Sequence, residues 1–274
     1  MKVRLAKSFG FCFGVKRAIK IAEKSRGGVT FGALIHNQKE IDRLRHSFGV
    51  KLVQTLDEVD GGDQVIVRTH GIPKNDLMAL RQKNVSVTDA TCPYVTKPQK
   101  IVEEMSAQGY QVIIFGDMTH PEVKSVMSYS STPAIVVGSL DELIDTKIPK
   151  RVALVSQTTK QTEKFIEIAH FLIRNAHETR VFNTICNATF QNQDATRELA
   201  QEVDVMVVVG GLSSSNTKQL FSIAKEYCPD SYLIEDEKDL NKEWFLGKKI
   251  CGLTAGASTP DWIIQNVKRA IEAL

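Results

Sequence analysis

Five runs of consecutive apolar, largely β-branched residues punctuate the chain. Each ends in a polar or glycine-containing turn: QVIV before RTHGIP, QVIIF before GDMTHPE, RVALV before SQTTK, VMVVV before GGLSSSN, and KICGL before TAGASTPD. Unbroken runs, in place of strict alternation, predict strands buried on both faces, as in parallel sheets covered by helices. The segments between them carry helical periodicity. Lys160 to Ala176 is one, with Phe165, Ile168, Ala169, Leu172 and Ile173 on one apolar stripe, and Asp261 to Leu274 is another. The pattern is that of repeated βα units, whose ligands bind beyond the carboxyl ends of the strands. The polar turns fall there.

At 274 residues the chain exceeds the usual single-domain size. It has no linker-like run of Gly, Ser or Pro and no low-complexity tract. Cys12, Cys92 and Cys186 are each followed by at least two βα units, which predicts three similar α/β modules with mainly parallel sheets, at residues 1–92, 93–186 and 187–274. The formal charge is +3, with both signs interspersed. That balance gives no footprint for nucleic acid or a membrane surface. The N-terminal segment lacks a signal-peptide core and no stretch is apolar enough to span a bilayer, so a cytoplasmic location is expected.

In a reducing compartment an odd cysteine count argues against a disulfide framework and leaves metal binding or nucleophilic chemistry as the functional options. Cys12, Cys92 and Cys186 lie in three separate turns, FGFCFGVKRA, TDATCPYVTK and NTICNATFQN. Isolated cysteines are often just small buried hydrophobes. Three in similar contexts suggest one shared metal site, and three thiolates on an iron–sulfur cluster of the kind normally held by four would leave one iron open. Cys228, before Pro229, and Cys251, in KKICGLTAG, have the context of structural residues.

His36 in GALIHNQKE, His70 in RTHGIPK and His120 in MTHPEVK occupy strand-end turns. An imidazole there can hydrogen-bond an anion or ligate a metal, or have only a local role. His46, His170 and His177 lie in helical segments and are assigned no function. The remaining turns are rich in hydroxyls: Thr158 and Thr159 in SQTT, Ser213, Ser214, Ser215 and Asn216 in GGLSSSNT, and Ser258 and Thr259 in TAGASTP. Such residues cap helices. Several at comparable strand ends also make a cradle for a phosphate or diphosphate. Neither of the glycine-rich nucleotide motifs is present, which disfavours a nucleotide. Glu122, two residues after His120, is the best candidate acid.

Taken in order, GFCFGVKRAI, IHN, THG, DATCPYVTK, THPE, SQTT, SSSN and TAGASTPD closely resemble the 4-hydroxy-3-methylbut-2-enyl diphosphate reductase family from Phe9 almost to the end of the chain. The resemblance implies three α/β modules around a central [4Fe–4S] cluster, and the last step of the methylerythritol phosphate route to isoprenoids. It implies that Cys12, Cys92 and Cys186 ligate three irons and that the open iron takes the substrate hydroxyl. The diphosphate would be held by His36, His70, His120, Ser214, Ser215, Asn216 and Ser258. Glu122, with Thr158 beside it, would pass a proton to the departing hydroxyl. The products would be isopentenyl and dimethylallyl diphosphate, and the expected electron donor is a ferredoxin or flavodoxin.

Two positions depart from the family pattern. Ser213 stands where an asparagine commonly precedes Ser-Ser-Asn, and Asn192 where an arginine commonly follows the third cysteine. Both concern the surroundings of the third module. A quinolinate synthase would share the modules and three cysteines, but the SSSN, TAGAS and HPE segments disfavour it. A non-enzymatic anion-binding protein with incidental cysteines would be colourless.

Overall fold

The computed structural model describes residues 1–144 and 146–274. Its strands are β1 (Lys2–Leu5), β2 (Val29–Phe31), β3 (Lys51–Val53), β4 (Gln64–Val67), β5 (Ser86–Asp89), β6 (Gln111–Phe115), β7 (Ile135–Val137), β8 (Arg151–Ser156), β9 (Glu178–Val181), β10 (Val205–Val209), β11 (Ser231–Ile234) and β12 (Ile250–Ala255). Its α-helices are α1 (Phe13–Lys24), α2 (Gln38–Phe48), α3 (Lys74–Gln82), α4 (Pro93–Ala107), α5 (Pro121–Met127), α6 (Asp141–Ile144), α7 (Thr162–Asn175), α8 (Asn187–Ala200), α9 (Ser215–Tyr227) and α10 (Asp261–Glu272).

The strands form three four-stranded sheets in the orders β3-β2-β4-β5, β7-β6-β8-β9 and β11-β10-β12-β1, and every pairing is parallel. The three orders are one topology repeated. The chain lays down an inner strand, an edge strand, the second inner strand and the far edge strand. In the third sheet that last strand comes from the N-terminus. Residues 2–5, expected with the first module, are thus an edge strand of the third sheet.

The five apolar runs are inner strands, β4, β6, β8, β10 and β12. Their continuous hydrophobicity follows from cover on both faces. Val205, Val207, Val209 and Leu253 pack on Ile263, Ile264, Val267 and Ile271 of α10. On the opposite face Met206 and Val208 meet Leu199 of α8 and Leu220 and Ala224 of α9. Helix α7 starts two residues later than expected, with Gln161 as its N-cap, and buries Phe165, Ile168, Ala169 and Leu172. Ile173, expected in that stripe, is 60% exposed. One residue past Leu172 is a further ~100° around the helix and carries it off the buried face.

Two compact units divide the chain. The one built on the third sheet comprises Met1–Lys16, Ile35–Arg43 and Asn187–Leu274. The other comprises Arg17–Leu34 and Leu44–Cys186 and contains the first two sheets. Within it the sheets are tied by polar contacts. The Gln99 amide donates to Ser125 Oγ at 2.8 Å, Ser125 Oγ donates to the Ile72 carbonyl at 2.9 Å, and the Lys74 N–H donates to Ser128 Oγ at 2.9 Å. Gly71 sits under this joint at φ +69°, where a Cβ would lie 2.6 Å from Ser125 Oγ. Both the backbone angle and the space call for glycine.

Candidate functional site

The repeat sorts the candidate residues by position. The turn after the first inner strand of each sheet carries His36 (after β2), His120 (after β6) and Ser214–Asn216 (after β10). The turn after the second inner strand carries His70 (after β4), Thr158 (after β8) and Ser258 (after β12). The far edge strands β5, β9 and β1 are followed by Cys92, Cys186 and Cys12.

Each cysteine amide is anchored the same way, to a carbonyl in the turn after the neighbouring inner strand. Cys12 N–H donates to Ala257 O at 3.2 Å, Cys92 N–H to Thr69 O at 3.0 Å and Cys186 N–H to Thr158 O at 3.0 Å. Each cysteine immediately precedes a helix, α1, α4 or α8, and is partly exposed. Acidic residues favour the first turn of a helix because they complement its positive end. The first turns of α2, α3, α5, α6, α7 and α10 contain at least one, whereas those of α1, α4, α8 and α9 contain none. The four exceptions follow the three cysteines and the SSSN turn. The first turns of these four helices are free of acidic side chains, which leaves their positive ends uncompensated by a carboxylate of the same turn. Cys228 and Cys251 are different: both are buried, and burial pushes the Cys251 thiol up to about 12.

In the unit holding the first two sheets, Glu122 is 2% exposed, and both of its oxygens are engaged by Thr158. The Thr158 N–H donates to Oε1 at 2.6 Å, and Thr158 Oγ lies 2.7 Å from Oε2. Burial raises the carboxyl above its ordinary value and outweighs the two Thr158 hydrogen bonds, which act in the opposite direction. His120 is the N-cap of α5, and its Nδ1 accepts the Glu122 N–H at 3.2 Å. In a neutral ring this leaves Nε2 as the protonated nitrogen. The His70 and His120 rings meet edge to face, with centroids 5.5 Å apart. His70 Nδ1 lies 3.5 Å from Thr69 Oγ1, which donates to the Leu34 carbonyl at 2.8 Å.

In the other unit the Ser258 hydroxyl donates to the His36 carbonyl at 3.1 Å, joining the turns that carry these two residues. Ser214 Oγ caps α9 by accepting the Thr217 N–H at 3.3 Å, and its hydroxyl hydrogen stays available to an anion. Asn216 is 5% exposed, and among the described residues neither its amide oxygen nor its amide nitrogen has a hydrogen-bond partner. Ser213 is exposed. Asn192 Oδ1 accepts the Ser8 hydroxyl at 2.6 Å, linking α8 to the loop that leads to Cys12. Thr259 donates to Val209 O at 3.0 Å and is fully buried, a structural hydroxyl.

Two residues outside the expected set shape these turns. Thr69 closes the His70 turn, its N–H and hydroxyl both donating to Leu34 O and its carbonyl receiving Cys92 N–H. Gln157, 2% exposed, accepts the Asp117 N–H at 3.0 Å and donates to Thr159 Oγ1 at 3.1 Å, bracing the turns after β6 and β8 against each other. The signal available in the sequence was a polar residue at a strand end, next to residues already singled out.

The LytB protein family model matches residues 3–272. A 4-hydroxy-3-methylbut-2-enyl diphosphate reductase of Wolinella succinogenes is 61% identical over 272 residues, covering 99% of both chains. That of Nitratiruptor sp. is 59% identical over 274 residues, covering 100% of this chain and 99% of the relative. A solved (E)-4-hydroxy-3-methyl-but-2-enyl diphosphate reductase, described as the terminal enzyme of the non-mevalonate pathway, superposes with a TM-score of 0.73 at 42% identity over the whole of both chains. The E-1-hydroxy-2-methyl-but-2-enyl-4-diphosphate reductase of Plasmodium falciparum superposes with a TM-score of 0.92 at 26% identity, covering 100% of this chain and 87% of that one.

Proposed function

The chain belongs to the LytB protein family, and on that premise we propose that it is a reductase of (E)-4-hydroxy-3-methylbut-2-enyl diphosphate. Two electrons and two protons are consumed: the allylic C–O bond breaks, one proton leaves with the hydroxyl as water, and the other goes to a carbon of the allyl fragment. Protonation at alternative carbons gives isopentenyl or dimethylallyl diphosphate. The diphosphate is unchanged. The electrons come from a carrier such as ferredoxin or flavodoxin, and the reaction runs in the cytoplasm.

Cys12, Cys92 and Cys186 would hold the iron–sulfur group. The residues suit it: three partly exposed cysteines in one repeated backbone setting, each before a helix whose first turn has no carboxylate. When bound, a [4Fe–4S] cluster with three thiolate ligands supplies one-electron transfer and an iron with a position open to the substrate hydroxyl. His36, His70, His120, Ser214, Ser215, Asn216 and Ser258 bind the diphosphate as donors, and the unpaired Asn216 amide supports that assignment. Glu122 holds the proton delivered to the hydroxyl. Its raised carboxyl carries that proton nearer neutrality than an exposed glutamate would, and the Thr158 hydroxyl can either donate to the carboxylate or accept from the acid.

The observation that carries this reading is the repeated placement of a cysteine after each far edge strand, anchored to the turn that bears His70, Thr158 or Ser258. The test is the iron and sulfide content of anaerobically purified variants. Cys12→Ser, Cys92→Ser and Cys186→Ser are each expected to lose most of the cluster and its visible absorption. Cys228→Ser and Cys251→Ser should keep it. Full cluster content in the first three variants would overturn the assignment.

A further inference from the structure

The proposed reaction makes no use of a cation that stands beside the His70 turn. Arg68 is the first residue after β4, and its side chain lies over Gly32, the first residue after β2. A Cβ at Gly32 would stand 2.7 Å from Arg68 Nη1 and 2.8 Å from its Cδ, and Gly32 has φ +76°. The guanidinium therefore crosses the carboxyl ends of two adjacent parallel strands, the side on which such sheets bind ligands. Arg68 Nε donates to the Gly71 carbonyl at 3.0 Å, so the arginine brackets His70 between residues 68 and 71. Among the described residues its other guanidinium nitrogens have no hydrogen bond or ion pair. Burial holds the guanidinium below its usual value, and Asp76, whose field opposes that, forms no ion pair with it.

A desolvated cation without a counter-ion is costly unless an anion compensates it. The proposed diphosphate donors are imidazoles, hydroxyls and one amide, none of them a permanent charge. Other basic side chains of these turns are otherwise engaged. Lys39 pairs with Asp236, and Lys160 Nζ lies 4.9 Å from the Phe115 ring centroid, in the field of Asp117. We propose that Arg68 is a specificity-determining residue for the anionic end of the substrate, supplying permanent positive charge through the Nη donors that the chain leaves unengaged. This rests on the reductase reading of the site. A planar guanidinium suits the task because it can present two parallel N–H groups to one phosphate.

The test is calorimetric titration of cluster-containing protein with inorganic diphosphate at about 20 mM and about 200 mM salt, where screening differs strongly. Arg68→Gln is expected to bind at least about tenfold more weakly than wild type at low salt and to lose much of the salt dependence, with Arg68→Lys in between. In turnover with a small artificial reductant, KM should rise in parallel while kcat stays within about twofold, the pattern of lost uniform binding. Equal affinity of Arg68→Gln and wild type at low salt would overturn the proposal. So would Arg68→Lys as weak as Arg68→Gln, because then the fork holds the turn and the charge does nothing. If Arg68→Gln fails to keep its cluster, Arg68→Met, which keeps the aliphatic stem without the charge, takes its place in the same titration: binding at least about tenfold weaker at low salt with a shallower salt dependence supports the proposal, and wild-type affinity overturns it. A wild-type protein that binds no diphosphate would sink the reductase reading of the site itself, a different failure from binding that ignores residue 68.

Discussion

The turns after β6 and β8 and the start of α9 are built on opposite terms. Around Glu122 the polar atoms are matched inside the chain: Thr158 serves both carboxylate oxygens, His120 takes the Glu122 N–H, and Gln157 uses both ends of its amide. At α9, Asn216 is buried too, but among the described residues both ends of its amide are unmatched, as is the adjacent Thr217 hydroxyl. A group that must deliver a proton along a fixed line is best held before the substrate arrives. A group whose task is to grip a ligand keeps its donors for that ligand, and a buried amide left unpaired costs about 1–3 kcal/mol of stability. On the proposed roles, the two regions separate chemistry from grip.

The sharpest way to break that division is Glu122→Gln. It preserves size and the contacts to Thr158 but cannot supply a proton. With a strong artificial reductant kcat is expected to fall by at least about a hundredfold, while cluster content and inorganic diphosphate affinity stay near wild type. Near-normal turnover by a variant with a full cluster would remove Glu122 from the mechanism.

Asn216→Ala should give the converse result. Loss of one or two hydrogen bonds to an anion is expected to weaken inorganic diphosphate, measured as a competitive inhibitor, by about one to two decades. The ligand-free protein should melt no lower than wild type, because truncation removes an unpaired amide. Thr158→Val sharpens the contrast. It leaves Glu122 Oε2 without its partner, and a buried group deprived of its hydrogen bond costs about 1–3 kcal/mol, a fall of a few degrees in Tm for a chain of this size. A drop in Tm for Asn216→Ala equal to that of Thr158→Val would mean that the two regions are not built differently.

The inner strands that lead into both regions were easier to read in the sequence than the rest of the sheets. Five inner strands were legible because each is a continuous apolar run, and the residues at their ends were found with them. The sixth inner strand, Val29–Phe31, and the edge strands Lys51–Val53 and Ile135–Val137 are three residues long, too short for a pattern, and hydrogen bonding across the sheet defines them. That β1 completes the third sheet is a long-range pairing that no local signal encodes. The hydroxyls and histidines of the turns could be listed, but not their burial. Glu122 was as readable as an exposed helix-start acid until its 2% exposure and its two Thr158 contacts distinguished it. Arg68 gave no signal because a single arginine in a turn is ordinary. Its meaning depends on Gly32, 36 positions earlier in the chain.

The smallest expected effect is a slope. Two forces act on the Glu122 carboxyl: burial favours the protonated form and the Thr158 donors favour the ionised form, with burial the larger. Below the ordinary carboxyl range, about 4.3 for a free glutamate, folded and unfolded chains are both protonated and the full contribution of the neutral acid is present. As pH rises past that value the unfolded chain ionises freely while the folded chain resists, so stability is lost until pH exceeds the raised folded value. Glu122→Gln has no proton to lose and lacks this slope. The difference in Tm, variant minus wild type, should therefore increase as pH rises above about 4 and level off once pH exceeds the raised folded value. A difference that instead decreases as pH rises up to the ordinary carboxyl range and is flat above it would show that the Thr158 hydrogen bonds outweigh burial, so that Glu122 rests as a carboxylate and must collect its proton before it can give one.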